Sequence, residues 1–296
     1  MSKAEASVVR AHEDAALFRD AVQFTAAQSG FTARLVEKDY FCTLLLAFLN
    51  RSAGNELVFK GGTCLTKVYA QLYRLSEDLD FTISVPLDAT RKERSVRVES
   101  IKTALNEMKR TIPALQLIET LKGANRSTQY LAVVGYGSTI SQQQETIKVE
   151  VSLREPLLLT PRQGVAQTIL QNPLTNHAMV APIAVRSIDE NEAWAEKFRA
   201  ALSRREPAIR DFYDVDYAVR RCGLMPENKK FITLVKYKLE VPGNDSVDVT
   251  PQRFSMLRRQ VETQLRPVLR EQDFTAFDLA RAFRFAVEMA KSIESR

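Results

Sequence analysis

Apolar residues along this chain follow two spacings, and a mixture of both gives way to purely helical spacing near Ser187. In the first part, "AHEDAALFRDAVQFTAAQSG" predicts an amphipathic helix closed by Gly30, a common C-terminal stop. "TARLVEKDYFCTLLLAFLN" predicts a second helix whose apolar face widens toward its end. Leu57 to Phe59 reads as a short strand and Leu79 to Val85 as another, stopped by Pro86. Between them, Thr63 to Tyr73 carries Leu65, Val68, Tyr69 and Leu72 at helical spacing. Arg91 to Arg110 predicts a surface helix ending before Pro113.

"ALQLIETL" and "TQYLAVVGYG" read as strands, and "TIKVEVSL" alternates strictly, as a half-buried strand should. The last two, separated by the polar turn "SQQQE", predict an antiparallel hairpin. From Ser187 the helices "DENEAWAEKFRAALSRR", "IRDFYDVDYAVRR" and "NKKFITLVKYKLE" follow, with two more after Pro251 and "EVPGNDSVDVTPQ" as the clearest loop. The expected fold class is therefore α/β: a mixed-sheet core with flanking helices over residues 1–185, then a helical C-terminal domain over 186–296.

Composition narrows the chemistry. With 45% hydrophobic and 26% charged residues the 296-residue chain is that of an ordinary folded protein. No apolar run approaches the roughly 20 residues that cross a bilayer, and acids interrupt the N-terminal stretch where a signal peptide would be apolar. A cytoplasmic protein with no membrane partner is expected. Cys42, Cys64 and Cys222 form no CxxC pair, and His12 and His177 are the only histidines, which disfavours a zinc site or a histidine-based nucleophile centre. The net charge of +6 permits a polyanionic partner, but acids interleave the basic runs "RKERSVR" and "RREPAIR", so charge alone favours nucleic acid only slightly.

The stretch "FKGGTCLTKVYAQLYRLSEDLDF", Phe59 to Phe81, concentrates candidate chemistry. Gly61 and Gly62 between a strand and a helix let backbone approach a ligand, and Thr63 adds a hydroxyl where a phosphate suits the helix dipole. A tight turn with a threonine cap is the plainer account of "GGT" taken alone. No GxxxxGK[ST] occurs, which argues against a Walker-type ATPase. On a strand, Asp78 and Asp80 would share a face, and two such carboxylates repel unless a cation lies between them. Mg²⁺, which takes a few carboxylates plus substrate phosphates, suits the pair. Glu150, on the polar face of "IKVEVSL", would complete a two-metal set and accept the proton of an attacking hydroxyl; an exposed residue paired with Lys148 or Arg154 is the alternative. Phosphate contact and surface placement both stand open for Lys67 and Arg74. Trp194 and "FRFAV" read as core.

These residues together carry a resemblance. A GG[ST] turn, a helix, DxD on the next strand and a later strand acid resemble the polymerase-beta-like nucleotidyltransferase superfamily. "EKDY", "FKGGTCLTKVY", "RLSEDLDF" and "AEKFRAALSRREPAIRDFYDVDYA" look like its AbiEii branch, which holds toxins of abortive-infection and MenAT-type toxin–antitoxin pairs. The residue after "EKDY", frequently tryptophan in that branch, is Phe41 here. The resemblance implies that Gly61, Gly62 and Thr63 hold a triphosphate, that Asp78 and Asp80 bind Mg²⁺ or Mn²⁺ with Glu150 as third carboxylate, and that Lys197 contacts the NTP. Asp211 matches the acid of the "RD" pair, with Asp214 one turn on; a buried structural pair of Lys197 with Asp211 is the alternative. The implied reaction transfers NMP from an NTP to an RNA hydroxyl, the 3′ end of a tRNA, in a toxin held in check by a cognate AbiEi-like antitoxin. A small-molecule or protein nucleotidylyltransferase and a non-catalytic NTP- or antitoxin-binding module are the other readings.

Overall fold

The computed structural model describes residues 10–53 and 56–295. In chain order its principal elements are α1 (Ala15–Ser29), α2 (Ala33–Ser52), β1 (Val58–Lys60), α3 (Gly61–Cys64), β2 (Leu79–Thr82), α4 (Arg91–Arg97), α5 (Glu99–Thr111), β3 (Leu115–Ala124), β4 (Gln129–Gly137), β5 (Gln144–Ser152), β6 (Arg162–Ala166) and β7 (Ile183–Ser187). Helices α6 (Glu190–Ser203), α7 (Ile209–Arg221), α8 (Lys229–Glu240), α9 (Pro251–Gln260), α10 (Glu271–Thr275) and α11 (Leu279–Glu294) follow. No helix among the described residues is long and apolar enough to cross a membrane.

One seven-stranded mixed sheet, in the order β3-β4-β5-β2-β1-β7-β6, organises the first part. β4 and β5 form the expected antiparallel hairpin. β5 runs parallel to β2, β2 antiparallel to β1, and β1 parallel to β7. On β5, Ile147, Val149 and Val151 are fully buried, which leaves Lys148, Glu150 and Ser152 on the other face. α6 packs against α7 and α8, α11 packs on α7, and the buried apolar residues form one continuous cluster from Phe18 to Ala290.

Local signals explain most boundaries. Gly30 stops α1 with a left-handed φ of 77°, and its N–H reaches the Ala26 carbonyl. The stretch expected as one helix over Thr63–Tyr73 is shorter and starts earlier: α3 passes into a π-helical turn over Leu65–Tyr69, and Gln71 and Leu72 adopt positive φ. The expected surface helix Arg91–Arg110 is two helices meeting at Val98. β2 begins at Leu79, one residue later than a strand carrying both aspartates would need.

"EKDY" lies in α2, which is buried on nearly every side, so its charges need partners. Glu37 accepts hydrogen bonds from the Ser138 hydroxyl and from the N–H and hydroxyl of Thr139, both at 2.7 Å. Lys38 approaches Glu77 at 3.4 Å. Asp39 meets Lys67 Nζ at 2.5 Å and also accepts from Thr168 and the Ile169 N–H. The motif thus fastens the β4–β5 turn, the approach to β2 and the stretch after β6 onto one helix. Lys67, left open between phosphate and surface, is buried and belongs to this frame.

Candidate active site

Lys60, Gly61, Gly62, Asp80, Gln129, Glu150, Arg154, Ala193, Glu196, Lys197, Arg199, Ala200, Arg204 and Asp211 line one cleft of about 340 Å³, where the ends of β1, β2 and β5 face α6. Six of the residues expected from sequence meet there: Gly61, Gly62, Asp80, Glu150, Lys197 and Asp211. Asp78 and Thr63 do not line it.

Backbone geometry explains the glycines. Gly61 has φ 75°, and a Cβ there would lie 2.2 Å from Asp80 Oδ2. A Cβ on Gly62 would come within 2.6 Å of Arg74 Nη2. The turn therefore closes directly onto the Asp80 carboxylate and the Arg74 guanidinium. Thr63 is fully buried and its hydroxyl donates to the Asp78 carbonyl, which ties the helix start to the segment entering β2. That hydroxyl holds the scaffold, whereas the sequence suggested a phosphate donor.

The carboxylates are set by strand register. Asp80 sits opposite Lys60 on β1 and opposite Glu150 on β5. Burial, then Glu150 and then Asp78 push the Asp80 carboxyl up to about 6, with Lys60 and Lys197 working against the rise. Asp78 precedes the strand and contributes to that field without lining the cleft. Glu150 also approaches Lys148 at 3.7 Å, the pairing held open as the plainer account. Among the described residues no three His, Cys, Asp or Glu side chains gather closely enough to hold a metal ion by themselves. Asp78, Asp80 and Glu150 are thus near one another without forming a ready cage.

Opposite them, Lys197 Nζ lies 2.9 Å from both Asp211 and Asp214. Burial works against its charge, but the two carboxylates outweigh that and raise its pKa. Asp214 is held in turn by Arg74 at 2.6 and 2.8 Å and by the Tyr73 hydroxyl, and Asp211 by Arg204 at 3.1 Å. Arg74 is fully buried in this network and does not reach the surface. The ion pair contemplated for Lys197 and Asp211 exists, yet Lys197 also faces the cleft. Trp194 is buried, as expected.

Several cleft residues escaped the sequence reading. Lys60 pairs with Glu196 at 2.8 Å, and Glu196 shares Lys238 with Glu155 and Glu192. Lys60 and Lys238, after burial is overcome, hold the Glu196 carboxyl well below the usual range. Lys60 precedes the glycine pair, which was the one available signal. Arg154 entered only as an alternative partner of Glu150, Glu196 and Arg199 lie in the motif stretch from Ala195 without an assigned role, and Gln129 gave no signal.

The fold resembles two solved structures from Helicobacter pylori. JHP933 matches with TM-score 0.52 at 18% identity, covering 90% of this chain and 95% of that one. A second, described as a candidate nucleotidyltransferase, matches with TM-score 0.50 at 19% identity, covering 86% and 94%. No curated protein matches the sequence. The family model of the nucleotidyl transferase AbiEii toxin, type IV toxin–antitoxin system, matches residues 43–289. With a strand-end carboxylate packed into a glycine turn and a lysine facing it, this chain belongs to the AbiEii nucleotidyltransferase toxin family.

Proposed function

We propose that the cleft transfers a nucleoside monophosphate from an NTP to a hydroxyl of RNA, at the 3′ end of a tRNA, and that a cognate antitoxin encoded with it restrains the activity. The observation that carries this reading is the placement of Asp80, which touches the Gly61 turn, neighbours Glu150 and faces Lys197 across one cleft.

The donor set fits a hard divalent cation. Asp78, Asp80 and Glu150 offer only oxygen, and Asp80 resists ionisation where a cation would favour it. Mg²⁺ or Mn²⁺ takes one or two protein carboxylates and fills its shell from phosphates and water, which suits carboxylates that do not close a cage. When bound there, the ion would supply charge neutralisation at the α-phosphate and the departing pyrophosphate.

The chain's own residues do the rest. Gly61 and Gly62 line the cleft and offer their backbone N–H groups to the triphosphate, and Lys197, kept charged by Asp211 and Asp214, stabilises charge that builds on the phosphates. The acceptor oxygen bonds to the α-phosphorus, the bond from that phosphorus to the bridging oxygen breaks, and pyrophosphate leaves. The acceptor proton passes to Glu150.

Incubation with total RNA and each NTP, labelled at either the α or the γ phosphate, tests the reaction class. Label should enter RNA from the α position only. Label from the γ position alone would mean a kinase.

A further inference from the structure

The charged groups of the cleft fall on two flanks of α6. Successive residues of an α-helix turn by about 100°, so Lys197 and Arg199 point roughly 160° apart around its axis. Lys197 faces α7, where Asp211 and Asp214 neutralise it. Arg199 faces the other way, toward Arg154 beyond the end of β5 and the turn after α8. That turn holds both arginines. Arg154 donates to the carbonyls of Val241 and Pro242 at 3.1 to 3.3 Å, and Arg199 to Asn244 Oδ1 at 3.4 Å. Asn244 is itself pinned, its amide donating to the carbonyls of Lys238, Leu239 and Val241.

Every one of those acceptors is neutral, and neither guanidinium pairs with a carboxylate among the described residues. Glu155 and Glu196, the nearby acids, are engaged by Lys238 and Lys60. Burial and then Arg199 lower the Arg154 pKa, as expected where two like charges share a half-buried flank. Glu155 and Glu196 act on these arginines only at a distance, and two positioned guanidiniums without an ion-pair partner among the described residues describe an anion site. Group transfer needs two substrates, and the glycine turn with Lys197 serves the nucleotide. Gln129, opposite Ser152 in the β4–β5 register, brings an amide to the same end of β5 as Arg154.

We infer that Arg154 and Arg199 grip the phosphodiester backbone of the acceptor, a single-stranded RNA end, and so determine which hydroxyls are used. The inference rests on the cleft being a nucleotidyltransferase site acting on RNA.

Arg199→Gln and Arg154→Gln test it, with a fluorescent single-stranded RNA followed by anisotropy across a salt series and a fluorescent NTP analogue titrated with Mg²⁺. Each change should weaken RNA binding by roughly tenfold and flatten the salt dependence by about 0.7 in log–log slope, the share of one single-strand phosphate. Nucleotide affinity should stay within about twofold, since the triphosphate lies on the other flank. Because Arg154 also caps α8, the Arg199 result decides should Arg154→Gln unfold. RNA affinity unchanged in Arg199→Gln, or nucleotide affinity lost instead, overturns the assignment. RNA binding weakened as stated in a protein that transfers no label would uphold the phosphate site and reject the reaction. Label transfer with RNA binding untouched would do the reverse.

Discussion

Arg74 meets Asp214 through two hydrogen bonds, Nε at 2.6 Å and Nη2 at 2.8 Å, with both side chains shut away from solvent. The pair joins the segment entering β2 to α7, and Asp214 passes the link on to Lys197. Asp214→Ala would leave Arg74 buried without a counter-charge. Losing one partner of such a pair costs about 3–5 kcal/mol, so denaturant unfolding should show a loss of that size. A loss under about 1 kcal/mol would mean that Arg74 finds other partners.

Lys197→Ala separates support from chemistry. Asp211 keeps Arg204 and Asp214 keeps Arg74, so neither carboxylate is stranded. Stability should fall by only about 1–2 kcal/mol, while α-label transfer falls by at least ~100-fold. Melting curves and transfer measured on one preparation check both. A loss of about 3–5 kcal/mol, recovered in Lys197→Ala with Asp211→Ala, would make the lysine structural.

Gly61→Ala places a methyl group 2.2 Å from Asp80 Oδ2 on backbone with positive φ. The strained backbone and displaced carboxylate should lower stability by about 1–3 kcal/mol and abolish transfer. Unfolding and activity at parental levels would show that the turn does not need to close on Asp80.

The chain announced its strands and glycine turn better than the partners of its charges. β5 was legible because Ile147, Val149 and Val151 alternate with polar residues. β6 and β7 were not: "RQGVA" and "IAVRS" are short, mix polar with apolar positions and acquire strand identity only by pairing with each other and with β1. Asp80, Lys197 and Asp211, far apart in the chain but each within a quoted motif, line one cleft. The bond from the Thr63 hydroxyl to the Asp78 carbonyl was not legible, because a hydroxyl's partner depends on where that carbonyl lies. Lys60 and Glu196 pair across 136 residues, and Arg199 depends on a turn around Asn244, relations that no local spacing encodes.

Asp80 gives the metal-free protein a pH signature. Its folded pKa, pushed up to about 6 from 3.8, means that the fold holds this proton more tightly than the unfolded chain does. The site is therefore most favourable below about pH 4, and that advantage is lost as pH rises through about 6. In EDTA, Asp80→Asn should melt higher than the parent near pH 7.5, and the gap should close toward about pH 4. Mg²⁺ should narrow the gap at neutral pH. A gap independent of pH would contradict the crowding of Asp80 by Glu150 and Asp78.

Transfer of α-label to RNA by the parent protein and by Asp80→Ala, at saturating Mg²⁺ and with both shown folded by their melting curves, tests the central claim most directly. Asp80 is the carboxylate that the glycine turn, the strand register and the facing lysine all converge on. The parent should label RNA and Asp80→Ala should not, with the folded state kept in both. Undiminished labelling by folded Asp80→Ala would contradict the site.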